Sequence, residues 1–195
     1  MKIDILDYKI NDISYLKNIK FELSYHQIYG LIGYIPLNIF LRILCGLLPK
    51  DNSVKIESSS QIGYFLNDMH FIKEYEVREI IKEIAPNFLE SDEVTDLLAK
   101  MNLQEISAQK VNTLDDSSIQ KLGIFCTLIK KNKIIIIEDC FKNLNNQDKD
   151  LIKELLVNYK TKGYLIILSS SVKDDFLYFA DKIYEVEEDK VNEIL

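Results

Sequence analysis

The sequence predicts an α/β fold: a mostly parallel central sheet, an antiparallel β N-terminal part and a helical subdomain. Three observations predict it. From Tyr29 onward strands and helices alternate, the pattern of a sheet whose parallel neighbours are joined by helical crossovers. After Lys133 comes an unbroken run, Ile134 to Ile137, with the texture of a central strand buried on both faces. Residues 1–25 (MKIDILDY, then ISYLKNIKFELSY) instead alternate apolar and polar, as antiparallel strands with one solvated face do.

In chain order, the N-terminal strands turn near Asn11-Asp12 and again between Ser24 and Gln27. Ile28 to Ile32 is a short buried strand, and about Leu37 to Leu48 a helix apolar nearly all round, which places it beneath a sheet. Lys50 to Ser53 is a turn, Val54 to Ile56 a strand, and Gln61 to Leu66 another. Residues 70–112 are charged and helical and form a candidate inserted subdomain. Glu76 to Ala85 has helical period, Pro86-Asn87 breaks it, and Ser91 with Asp92 and Glu93 caps SDEVTDLLAKM. LDDSSIQKLGIFCTLIKKN is a helix with a buried face. Gln147 to Thr161 is amphipathic and stops at Gly163. Tyr164 to Leu168 is a buried strand, Lys173 to Ala180 a last helix, and DKIYEVEED and KVNEI closing strands.

At 195 residues and 47% hydrophobic, one domain spanning 1–195 with a full core is expected. A net charge of −7 argues against a nucleic-acid partner, whose footprint is normally basic. Cys45, Cys126 and Cys140 are odd in number and lack CxxC spacing, which reads as buried thiols rather than a disulfide or zinc site. The apolar stretches Ile35 to Leu48 and Leu122 to Ile129 are too short or too interrupted to span a bilayer, and no signal peptide opens the sequence. These features predict a cytoplasmic chain without direct membrane insertion, so any membrane role runs through a partner. His26 and His70 read as surface residues.

Tyr29 to Pro49, YGLIGYIPLNIFLRILCGLLP, has the plan of a phosphate-binding loop: strand, glycine, helix. The full motif, G-x-x-x-x-G-K-[S/T], needs backbone N–H groups turned onto the phosphates, a lysine at the β/γ oxygens and a hydroxyl on Mg²⁺. Here only Gly33 remains, no lysine precedes Lys50, and Pro36 removes a backbone donor. Ile35, Pro36 and Leu37 fill the stretch, and Ile39 falls near the lysine position.

Around that loop, YLKNIKFEL, QIYGLIG, LRILCGLLP, QIGYFLN, IIIIED and LSSS stand in the order and near the spacing of one family. Over essentially the whole chain they resemble the ATP-binding subunit of ABC transporters, and most closely the short subunits of bacitracin- and lantibiotic-type exporters and immunity systems. The resemblance implies an ABC ATPase core with a P-loop NTPase-like fold. An adenine-stacking aromatic falls near Ile10, and Tyr8 beside it is either that residue or a core strand residue. Asn67 stands at the Q-loop position, a methylene shorter than Gln. Leu114-Asp115-Asp116-Ser117-Ser118, followed by Gln120-Lys121-Leu122, stands for the signature LSGGQ. There the two carboxylates either repel an opposing phosphate or simply cap a helix. Glu138 and Asp139 are a remnant Walker B pair in swapped order, at the positions of the Mg²⁺-orienting carboxylate and the general base. Asn145 replaces the D-loop aspartate and Ser171 the switch histidine.

For an intact member the resemblance implies ATP and Mg²⁺. With so many positions altered it implies a catalytically degenerate pseudo-ATPase with no cofactor, unless the remnant site at Gly33 still binds ATP/Mg. It also implies a transmembrane subunit as partner, a homo- or heterodimer with another ABC ATPase subunit, and a peripheral place at the inner face of the cell membrane. Phe65, Leu66, Met69, Phe71 and Tyr75 are an apolar cluster among charges, either the docking surface for that membrane subunit or core. Two other readings remain open: an unusual but active ATPase, and a soluble regulatory or immunity protein derived from one.

Overall fold

The computed structural model describes residues 1–86 and 91–195. Asn87, half of the expected Pro86-Asn87 break, lies outside the described residues. Two sheets carry the fold. The smaller is antiparallel: β1 (Lys2–Ile10) pairs with β2 (Ile13–Glu22) on one side and β4 (Val54–Glu57) on the other. The larger holds β3 (Gln27–Gly33), β5 (Ile62–Phe65), β6 (Ile134–Ile137), β7 (Leu165–Ser169), β8 (Lys182–Val186) and β9 (Val191–Glu193), in the order β5-β6-β7-β3-β8-β9. All its pairings are parallel except β8 with β9.

Because successive strand residues face opposite ways, the isoleucine run divides between two cores. Ile134 and Ile136, with Tyr29, Leu31, Leu165 and Ile167, pack against α1 (Ile35–Leu44) and the inner face of the small sheet. Ile135, Ile137, Ile166 and Leu168 pack on the other side among residues of α4 (Asp116–Ile129) and α5 (Asn146–Thr161). The helices α2 (Val77–Ile84) and α3 (Asp92–Lys100) add Val77, Ile80, Ile81, Val94, Leu97 and Leu98 to that second core.

Three expectations need correction, and one open alternative, at Tyr8, is decided. The first helix ends at Leu44 rather than Leu48, because Gly46 takes φ +74° and turns Leu47 N–H back onto the Arg42 carbonyl at 2.9 Å, a glycine stop. Ser91 caps α3 only through its carbonyl, which accepts from Val94 and Thr95 N–H, and not through its hydroxyl. The expected helix Lys173 to Ala180 is a single 3₁₀ turn, Lys173–Phe176. There the Phe176 ring is fully buried against Gly30, which has no Cβ to strike it, and Tyr178 takes φ +61°. Tyr8 is buried in the core behind β1, so it is a strand residue and not an exposed stacking platform.

Among the described residues no helix is long and apolar enough to cross a membrane. The three cysteines carry free thiols. Burial pushes the Cys126 thiol up to about 12, and burial together with the nearby Glu138 carboxylate does the same to Cys45, so neither is a nucleophile at neutral pH.

Candidate functional site

The carboxyl ends of β3, β6 and β7 open onto one cavity of about 380 Å³, where ligands sit in open α/β sheets. Gly33, Tyr34, Ile35, Leu37 and Asn38 line it from the β3–α1 turn, Glu138 and Asp139 from β6, Ser169 to Ser171 from β7, and Asn67 from the segment after β5. The structure thus brings together Gly33, Asn67, Glu138, Asp139 and Ser171, which are far apart in sequence.

Gly33 is required by the turn itself: a Cβ there would lie 2.6 Å from the Val186 carbonyl oxygen, and φ is +152°. Of Ile35, Pro36 and Leu37, expected to fill the turn, Ile35 and Leu37 line the cavity. Tyr34 and Ile35 are 89% and 66% exposed and stand at the cavity mouth. Ile39 is buried in the core beneath α1, so the residues of this helix that line the cavity are Ile35, Leu37 and Asn38. Pro36 occupies the first turn of α1, where a missing N–H costs the helix nothing but removes one donor from the rim.

Glu138 is 5% exposed and bonded through both carboxylate oxygens. Oε1 accepts from Asn38 Nδ2 at 2.8 Å and lies 3.5 Å from Arg42 Nη1, and Oε2 accepts from the Asn67 N–H at 2.9 Å. Asp139 adopts φ +46°, a left-handed conformation that Asp tolerates better than most residues. Its N–H donates to Ser169 Oγ at 2.9 Å, and its carbonyl accepts from Gln120 Nε2 at 3.1 Å. The Asn67 side chain, despite its shortness, does reach the acidic pair: Nδ2 donates to Asp139 Oδ2 at 2.7 Å. Ser171 is exposed at the rim, while Ser170 donates to Asp175 Oδ2 at 2.6 Å. Among the described residues no three His, Cys, Asp or Glu side chains converge as a metal site.

Arg42, Asn38, Asp68 and Ser169 were not singled out from the sequence. A usable signal exists for the first two: they are the polar residues of an otherwise apolar helix and stand four apart, on one face.

The acidic run before α4 resolves as a cap. Asp115 is the N-cap and accepts from the Ser118 N–H at 2.7 Å, and Asp116 is exposed in the first turn. The Ser118 backbone N–H, then its hydroxyl, hold the Asp115 carboxyl below the usual carboxylate range. Asn145 likewise caps α5, accepting from the Asp148 N–H at 2.8 Å. Asp115→Ala should therefore cost about 1 kcal/mol at neutral pH. A depressed carboxyl adds stability above its unfolded pKa and loses it as pH falls through the folded value. Urea titrations should show the gap between wild type and variant closing below about pH 4.

The apolar cluster divides. Phe65 and Leu66 are buried in the two cores and present nothing to a partner. Met69 and Ile72 are 39% and 51% exposed. Phe71 and Tyr75 are half-buried; Phe71 stands between two shallow hollows of about 240 and 270 Å³, and Tyr75 lines the second.

No family model matches the sequence. The chain is 23% identical over 199 residues to the uncharacterized ABC transporter ATP-binding protein YybJ of Bacillus subtilis, covering 93% of this chain and 89% of that one. It is 23% identical over 202 residues to the lantibiotic transport ATP-binding protein SrtF of Streptococcus pyogenes, covering 98% and 88%. A solved ATP-binding subunit of an ABC transporter superposes with a TM-score of 0.85 at 16% identity, covering 99% and 89%, a likeness that shows the fold. The chain is thus similar along nearly its whole length to proteins named as ABC transporter ATP-binding proteins, and it shares the fold of a solved subunit of that kind.

Proposed function

We propose that the chain is a catalytically degenerate cassette of an ABC exporter, one domain over residues 1–195 with a helical subdomain at about 70–112. It sits at the cytoplasmic face of the membrane beneath a transmembrane subunit, pairs with a second cassette, and acts structurally or as a regulator rather than by hydrolysing ATP. The observation that carries this reading is the state of the acidic pair. Glu138 is already bonded by Asn38, Arg42 and the Asn67 amide, and among the described residues no lysine or arginine lines the cavity. Mg-ATP does not fit these residues. A triphosphate would meet two carboxylates, an apolar Leu37 side chain and a rim lacking the Pro36 donor. Phosphoryl transfer depends on positioned charge, and that charge has the wrong sign here. Similarity to a lantibiotic transport protein supports the exporter type.

A ligand at 100 times its Kd adds about 2.7 kcal/mol, or about 5–10 °C for a domain of this size. Millimolar Mg-ATP is expected to leave the melting temperature unchanged, and a rise of that size would favour the active-ATPase reading. Single restorations should also fail. Leu37→Lys now places the ammonium in the cavity, where Ile39→Lys would bury it, but neither that change nor Asp139→Glu supplies the missing N–H cradle. Hydrolysis above background by either variant would show a competent loop. Co-purification with a membrane protein encoded beside this chain separates a transporter subunit from a soluble regulator.

A further inference from the structure

Glu138 is a buried carboxylate, and a charge so placed is costly unless a counter-charge and hydrogen bonds meet it. Arg42, whose side chain is only 15% exposed, meets it from α1: Nη1 lies 3.5 Å from Glu138 Oε1 and donates to the Asn38 carbonyl at 3.2 Å. The other arm of the guanidinium, Nη2, lies 3.0 Å from Asp68 Oδ1. Asp68 belongs to the segment after β5 that Glu138 also holds, through the Asn67 N–H. That segment runs directly into Met69, whose N–H donates to the Leu66 carbonyl at 3.0 Å. One arginine therefore ties together α1, the end of β6 and the stretch leading to the exposed apolar residues Met69 and Ile72.

We propose that Arg42 is a built-in counter-ion for Glu138 and a latch for residues 67–69, so that the chain's own cation and the Asn38 amide do the electrostatic work that a phosphate-bound divalent cation would otherwise do. The latch holds the cavity and the neighbouring surface in one arrangement without a ligand. This deepens the reading of the site as non-hydrolysing and rests on it. Arg42 is a positioning residue: it acts through Glu138 and Asp68 rather than on a substrate.

The test is a double-mutant cycle on the full chain, read by thermal melting and by hydrogen exchange, with no nucleotide in any arm. Arg42→Met removes the counter-charge and strands the carboxylate, and is expected to lower the melting temperature by about 10 °C. The Asn67 amide, bonded to Glu138, should exchange at least about 10-fold faster. In a Glu138→Gln background, where no charge needs neutralising, the same substitution should cost less than about 3 °C and leave that amide unchanged. If Arg42→Met is insoluble alone but soluble with Glu138→Gln, the coupling is demonstrated in another form. Equal losses in both backgrounds would overturn the proposal, because Arg42 would then contribute packing alone, and insolubility in both would overturn it likewise. Since no arm contains ATP, the latch can fail while the Mg-ATP result stands, and the reverse.

Discussion

Phe65→Ala is expected to cost about 3–5 kcal/mol of folding free energy, the range for emptying an aromatic site in a packed core. The ring ends β5 and lies flat over Gly123 of α4, where a Cβ would come within 2.3 Å of it. It also stacks on Phe71, with centroids 6.3 Å apart and planes 17° from parallel. A glycine in the middle of a 14-residue helix weakens that helix by roughly 0.5–1 kcal/mol relative to alanine, so the close fit of the ring offsets a local loss. The backbone cannot collapse into the vacated volume without moving α4 off the sheet, which places the cost at the upper end. Urea denaturation at 25 °C measures it, with Met69→Ala as the surface control, expected within about 0.5 kcal/mol of wild type. A loss below 1 kcal/mol for Phe65→Ala would mean that α4 does not pack on β5 as described.

The same residue marks how far the sequence could be read. Ile134 to Ile137 could be assigned to a doubly covered parallel strand because a fully apolar run leaves no solvated face. The alternation in residues 1–25 gave the antiparallel pair directly. Phe65 and Leu66 could not be assigned to core or surface, because β5 is only four residues long and the two side chains go to opposite faces. The cavity's membership was legible from motif order, since Gly33, Asn67, Glu138, Asp139 and Ser171 all reach it. What was not legible is how those residues are satisfied. The bond from Asn38 to Glu138 joins positions 100 apart, and nothing local announces it. The short final helix failed for a related reason, since burial of Phe176 over Gly30 overrides the local preference of the segment.

Ile72→Asp combined with Met69→Asp is expected to weaken binding to the proposed transmembrane subunit at least about 30-fold while leaving the isolated domain folded. The two side chains are exposed apolar groups beside the hollows that Phe71 separates. One hollow is walled by Tyr75, Ile80 and Ile84 and the other by Val111, Leu114 and Ile119, so a partner helix could seat apolar side chains on either side of the Phe71 ring. Central apolar anchors of this kind commonly carry 2 kcal/mol or more of an interface, and a carboxylate there adds desolvation to the lost contact. Phe71 and Tyr75 make poorer probes than the sequence suggested. The first stacks on Phe65, and the ring of the second packs half-buried against the core, so changing either confuses docking with folding. The measurement is co-purification in detergent beside circular dichroism and melting of the soluble variant. A variant that melts like wild type and no longer co-purifies supports docking at this patch. One that stays folded and bound puts the membrane contact elsewhere, and the transporter-subunit reading then loses the surface on which it depends.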